Sequence, residues 1–163
     1  LHVLTHSFPT RRSSDLSQNQ IKQYHLYAWS DQAGDEVLTT YDRTPIAYSP
    51  QLVLSNTLTF VHRAFEAALT SQYVGMQYLD NTGSRERSLP AYHVASLRLG
   101  YELPVHFVRS WSISLQINNL FDARYSSNGG AGYTFDKKGA ISSYTWTYPQ
   151  AGIHAFLGTT ITI

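Results

Sequence analysis

Trp111, Ile113, Leu115 and Ile117 alternate with Ser112, Ser114 and Gln116. A period of two predicts a β-strand with one apolar and one polar face. The same parity continues past Asn119 to Phe121 and Tyr125, which extends the expected strand over 111–121. The pattern recurs along the chain. Ala95, Leu97, Leu99 and Tyr101 oppose Ser96, Arg98, Gly100 and Glu102; Leu52, Leu54, Leu58 and Phe60 oppose Val53, Ser55, Thr57 and Thr59. Phe65, Ala67, Leu69 and Tyr73 oppose Glu66, Thr70 and Gln72, and Ile153, Ala155, Leu157, Ile161 and Ile163 share one parity. A weaker strand is expected near Ile21 to Trp29. This makes about six strands and no convincing helix, well outside the mixed content of an average domain.

The connections carry a second signal. Those around His62–Arg63 and from Pro104 to Arg109 are short, whereas Asp31–Thr44, Asp80–Pro90 and Ser127–Pro149 are long. Short and long connections alternate, as in outer-membrane barrels with tight periplasmic turns and longer extracellular loops. A soluble sandwich has less reason to sort its loops this way. A strand of ten steps at about 3.3 Å each, tilted, covers an apolar band of roughly 25 Å. Trp111 would then mark one aromatic girdle and Phe121 or Tyr125 the other.

The opening stretch differs. His6–Leu16, HSFPTRRSSDL, has no helical or strand period, and no apolar run follows its twin arginines as an export signal requires. It resembles the translation of a common sequencing adapter. Residues 1–16 are therefore expected to be a non-native segment that packs poorly, and 17–163 to be the folded part.

Composition narrows the function. The 163 residues carry a net charge of +1 and no cysteine, so nothing points to nucleic acid, and disulfides and thiolate metal sites are excluded. No apolar run is long enough for a transmembrane helix, which leaves strand-based crossing open. Tyrosine is abundant, with 12 copies beside 3 tryptophans, and such amphipathic rings favour membrane–water boundaries or sugar-like surfaces. No metalloprotease, phosphate-loop or serine-hydrolase motif is present, and the histidines are scattered. The sequence is expected to encode no enzyme, no metal site and no cofactor.

INNLFDARYSSNG, Ile117–Gly129, resembles a motif near the C-terminus of TonB-dependent outer-membrane receptors. YPQAGIHAFLGTTITI, Tyr148–Ile163, resembles that family's final strand, and Ser71–Thr82 and Ala91–Glu102 the two before the motif. The family usually ends in an aromatic residue; Ile163 keeps the parity without the ring. The resemblance implies an all-β fold: an antiparallel up-and-down meander of about six strands, an incomplete piece of a transmembrane β-barrel of about 22 strands. It places Asn118, Asn119, Leu120, Phe121, Asp122 and Tyr125 on the penultimate strand. It implies a receptor and transporter in the outer membrane of a Gram-negative bacterium, importing a scarce nutrient such as a metal chelate, cobalamin, glycan or peptide. The implied partners are outer-membrane lipid, the missing upstream strands and plug domain, the TonB energising complex reached through the missing N-terminal part, and the outer-membrane assembly machinery. A passive porin-type channel and a soluble aromatic-rich β-domain binding carbohydrate are the alternatives.

Candidate site residues follow from position. GGAGYTFDKKGAISSYTWTYPQ carries Tyr133, Phe135, Tyr144 and Trp146 as candidate ligand contacts on an extracellular loop, with Gly129, Gly130 and Gly132 expected to make its start flexible. Trp146 and Tyr148 also suit an outer girdle. Arg98, Glu102 and Gln116 fall on polar faces and are candidates for the lumen and plug surface. Arg85 and Arg87 sit in an expected solvated loop, where either could meet an anionic ligand.

Overall fold

The computed structural model describes residues 10–30, 34–135 and 141–163. In chain order the elements are β1 (Thr10–Leu16), β2 (Gln20–Ser30), β3 (Asp35–Pro45), β4 (Leu52–His62), β5 (Phe65–Val74), β6 (Gln77–Tyr78), a 3₁₀ turn (Arg85–Arg87), β7 (Ser88–Leu89), β8 (Tyr92–Glu102), β9 (Ser110–Asn118), β10 (Ser126–Phe135), β11 (Ile141–Pro149) and β12 (His154–Thr162). Six of them form one sheet in the order β1-β4-β5-β8-β9-β12, antiparallel throughout. The order follows the chain, so the sheet is an up-and-down meander. Among the described residues it does not close, and β1 and β12 are its edges.

Register turns the alternation into two faces. On one, Leu58, Leu69, Leu97 and Ile117 form a row across four strands; the next row is Phe60, Ala67, Leu99, Leu115 and Leu157, then His62, Phe65, Tyr101 and Ile113. On the other run Thr57, Thr70 and Ser96, then Thr59, Ala68, Arg98 and Gln116, then Glu66, Gly100 and Ser114. The apolar face is uncovered, with Leu157 78% exposed. A soluble domain would put these leucines in an internal core. From β4 to β12 the sheet strands are 9 to 11 residues long, the length that crosses a bilayer when tilted.

Each long connection carries a second hairpin, β2-β3, β6-β7 or β10-β11, at the same end of the sheet. At the other end β4 passes to β5 through Arg63 and Ala64, and β8 to β9 through 103–109. The strand expected near Ile21–Trp29 is therefore real but lies in a hairpin, β2, and β1 takes the sixth place in the sheet. The hairpins pack against one another: β10 contacts β2 and β7, and Val74, at the hairpin end of β5, is buried. The buried apolar residues, Leu26, Val74, Leu79, Leu89 and Ala95, gather towards this end.

Three further expectations are corrected. The strand from Trp111 ends at Asn118 rather than Phe121, because Asn119 and Asp122 take left-handed backbone (φ 50 each) and turn the chain. Gly129, Gly130 and Gly132 are not a flexible start; they are strand residues paired with Thr147, Trp146 and Tyr144. Of residues 1–16, the first nine lie outside the described residues, and the rest form a strand despite lacking a strand period. Arg11 to Leu16 are all exposed, yet β1 pairs with β4 over seven consecutive residues. An edge strand offers its N–H and C=O groups to any extended neighbour, whatever its side chains.

Gly129 tests the β10-β11 packing. A Cβ there would fall 2.5 Å from the Trp146 carbonyl oxygen, a backbone atom, and 3.4 Å from Leu79 Cδ2. Gly129→Ala is expected to cost about 1–3 kcal/mol of local stability by overpacking. Amide hydrogen exchange should accelerate in β10 and β11 and stay unchanged in β4 and β5; unaltered β10 protection would refute the close approach.

Candidate functional site

The hairpins meet at a tyrosine cluster. Tyr24 on β2 and Tyr41 on β3 are register partners, with ring centroids 6.1 Å apart. Both enter the electrostatics of Tyr133 on β10, and the Arg87 guanidinium stands 5.7 Å from the Tyr133 ring centroid, within cation–π range. Arg87 is locked from below. Its Nε donates to Asp80 Oδ2 at 2.6 Å and its Nη2 to Thr82 Oγ1 at 2.6 Å. Thr82 donates its hydroxyl (2.6 Å) and backbone N–H (2.9 Å) to Asp80 Oδ1. The ring of bonds is closed, and the two charged side chains are only 6% and 12% exposed.

Neighbouring strands brace this ring. Ala47 N–H donates to Asn81 Oδ1 at 2.7 Å and Thr44 Oγ1 to the Asn81 carbonyl, tying the end of β3 to the Asp80–Gly83 turn. Gly83 takes φ +72 there, against Pro45. The Tyr48 hydroxyl donates to the Gly129 carbonyl at 2.9 Å.

Burial pushes the Tyr133 hydroxyl above its usual pKa of 10.0; Tyr24 and Asp80 push the same way and Arg87 opposes. Burial also raises Tyr41, with Arg87 opposing and Asp80 and Tyr24 adding. Both phenols therefore stay neutral at physiological pH. The cluster offers flat rings, neutral hydroxyls and a cation already matched by its own carboxylate. That chemistry suits stacking and hydrogen bonding to a neutral or polyhydroxylated group.

The sequence candidates divide between surfaces. Tyr133 is at the cluster. Tyr144 and Trp146 project from the opposite face of the same hairpin, because their partners are Gly132 and Gly130 whereas Tyr133 pairs with Ser143. Phe135 ends β10, and its side chain lies outside the described residues. The four aromatics are thus not one site. Arg98 and Gln116 are register neighbours on the polar face, and Glu102 is paired with Ser112 further along. No ion pair joins Arg98 to Glu102; with Arg63, Glu66, Ser112 and Ser114 they line a depression of about 300 Å³ at the short-turn end. Arg87 is neither solvated nor free for an anion, which corrects the loop reading. Tyr24, Tyr41, Asp80 and Thr82 were not singled out by the sequence. Only the fold carries Asp80 to Arg87 and Arg87 to Tyr133.

The Asn-Leu-Phe-Asp run is a corner, not part of a strand. Asn119 is buried; its Nδ2 donates to the carbonyls of Ala123 (2.8 Å) and Ala151 (3.0 Å), and its Oδ1 accepts from Ala123 N–H at 2.9 Å. Asp122 Oδ1 accepts from Ile153 N–H at 2.8 Å, and Leu120 N–H donates to the Ala95 carbonyl at 2.8 Å. Asn118 ends β9, Phe121 is exposed beside His93, and Tyr125 stacks on Tyr92 at 4.4 Å. Asn and Asp are the side chains that best tolerate left-handed backbone. Here they also staple the end of β9 to β8 and to the start of β12, and so aim the β10-β11 hairpin.

A family model described as TonB dependent receptor-like, beta-barrel matches residues 16–120. No curated protein and no solved structure matches.

Proposed function

Because the chain belongs to the TonB dependent receptor-like β-barrel family of outer-membrane transporters, we propose that it supplies barrel strands to a receptor that imports a scarce nutrient under energy from the inner membrane. The apolar rows face lipid, the polar rows face the lumen and a plug, and the hairpin end is extracellular. The remaining strands pair with β4, at the edge β1 takes here, and with the free edge of β12, since unpaired backbone in hydrocarbon costs several kcal/mol per group. The observation that carries the reading is the braced cluster of Tyr24, Tyr41 and Tyr133 where the hairpins meet at one end of the sheet, a place where an incoming solute would be held before passage.

Residues 1–16 are proposed to be foreign to this receptor. On β1, Arg12 and Ser14 share the face of Asn56 and Leu54, so a cation stands where a lipid-facing strand would be apolar. The family match begins at residue 16. Contiguous genomic sequence tests this: a native reading frame running unbroken through residues 1–16 would refute it.

The functional test uses the intact receptor in a strain lacking it, with labelled ferric chelate, cobalamin, oligosaccharide and peptide as probes. One class should accumulate, and a protonophore should stop it. Tyr133→Ala should weaken half-saturation about tenfold, the worth of one buried aromatic contact, at unchanged receptor abundance. Accumulation that persists with the protonophore would mean a passive channel, and Tyr133→Ala without effect would remove the cluster from the path.

A further inference from the structure

The tyrosine cluster continues along its own hairpin. On the face that carries Tyr24 and Tyr41, Lys22 stands directly opposite Arg43, the next pair down the ladder. The two pairs are two residues apart, about 7 Å at strand rise. Both cations are exposed, and no ion pair joins either to a carboxylate among the described residues. Like charges facing each other across two strands repel. Arg87, by contrast, is already matched by Asp80. Two further observations mark the place. Gln23, between Lys22 and Tyr24, takes left-handed backbone (φ 53) inside a strand, and the ladder skips the Gln23–Asp42 pair. A non-glycine residue held this way is strained, and such strain gathers at ligand clamps. Beside it lies a depression of about 920 Å³ lined by Lys22, Gln23, Thr40, Tyr41, Asp42 and Arg43. It joins a ring of the cluster to both cations.

We propose that Lys22 and Arg43 are an anion subsite beside the tyrosine cluster and that the cargo is a saccharide carrying a carboxylate, a proposal that rests on the reading of the cluster as the cargo site. The chemistry divides between the two pairs. Tyr24 and Tyr41 offer flat apolar faces for a sugar ring and hydroxyls for its hydroxyls. The Arg43 guanidinium has the planar fork that takes both oxygens of a carboxylate, and Lys22 adds a compact point charge. Both side chains are long enough to reach a group held over rings two residues away. Charge selects the acid. Asp42 also lines the depression, so two cations less one carboxylate leave a net +1. One carboxylate neutralises that charge, whereas a phosphate, nearly a dianion at neutral pH, overshoots it. An acidic sugar relieves the Lys22–Arg43 repulsion and a neutral sugar leaves it in place. The pair therefore separates cargoes of the same shape by charge.

The test titrates the intact receptor in detergent, by calorimetry, with oligomers of galacturonate, glucuronate and mannuronate and with the methyl ester of each, which keeps the rings and removes the charge. One of the acids should bind about tenfold tighter than its ester, the worth of a charge-assisted contact, and the difference should shrink as salt rises. Lys22→Gln combined with Arg43→Gln should bring the acid down to the level of its ester. Asp42→Asn should tighten the acid and not the ester, a gain that misfolding cannot produce, and it keeps the test open should the double variant fail to fold. Tyr133→Ala should weaken acid and ester alike. No binding of any acid, equal affinity for acid and ester, or a preference that survives in the double variant overturns the proposal. Protonophore-sensitive uptake of a neutral probe, weakened by Tyr133→Ala and with no preference for acids, would overturn it and leave the transport reading standing. An acid preference in detergent without protonophore-sensitive uptake of the same acid would fail the transport reading and leave the anion subsite standing.

Discussion

Leu115→Arg in the intact receptor is expected to collapse its folded fraction in outer membranes, while Gln116→Arg leaves most of it in place. Leu115 sits in the middle apolar row, between Leu99 on β8 and Leu157 on β12. A guanidinium near the bilayer midplane costs about 2–4 kcal/mol. Loss of the leucine's apolar burial adds about 1.5–3 kcal/mol. Together these rival the net stability of many domains, about 5–15 kcal/mol. Gln116 has the opposite parity and lies between Arg98 and Phe156. An arginine there stands across from Arg98, and such a like-charge pair costs only up to about 1 kcal/mol, softened by water or by the Phe156 ring. Heat-dependent gel mobility reads the folded fraction. Folding of Leu115→Arg with loss of Gln116→Arg would invert the two faces, and equal tolerance of both would remove the lipid-facing assignment.

The faces around Leu115 were legible because strand periodicity is local: two residues suffice to say which way a third points, and register then aligns rows such as Leu58, Leu69 and Leu97. The hairpins were not legible for the same reason in reverse. Asp35–Pro45 is polar and Gly129–Gly132 is poor strand former, so both read as loops. What makes the glycines a strand is cover from Trp146 and Tyr144 on the returning arm, a non-local cause. Arg87 reads as a solvated loop cation until Asp80 and Thr82 are seen beneath it. The Asn119–Asp122 corner did carry a usable signal, since Asn and Asp are the residues enriched in left-handed backbone; the continuing parity of Phe121 and Tyr125 masked it.

Asp80→Ala is expected to open the hairpins without unfolding the six-stranded sheet. The substitution removes the acceptor of both Arg87 Nε and Thr82 and leaves a guanidinium in a site where its side chain is only 6% exposed. Breaking a buried pair from one side costs about 3–5 kcal/mol, because the surviving charge is left uncompensated. The loss is local. Leu79 N–H donates to the Arg87 carbonyl and Arg87 N–H to the Ser84 carbonyl, so the segment from Leu79 to Leu89 opens as a unit while the β4, β5 and β8 ladders stay closed. Tyr133, deprived of its cation, then loses its orientation. Hydrogen exchange should rise across Leu79–Leu89 and β10, with β4 and β5 unchanged. Replacing both charges, Asp80→Leu with Arg87→Met, should recover most of the protection, since apolar groups of similar size fill such a site at little or no net cost. If Asp80→Ala leaves Leu79–Leu89 as protected as before, the Arg87–Asp80 ring is not what holds the hairpins together. If the double variant is as open as the single one, the ring's geometry, rather than the burial of an unpaired charge, sets the stability of the cluster.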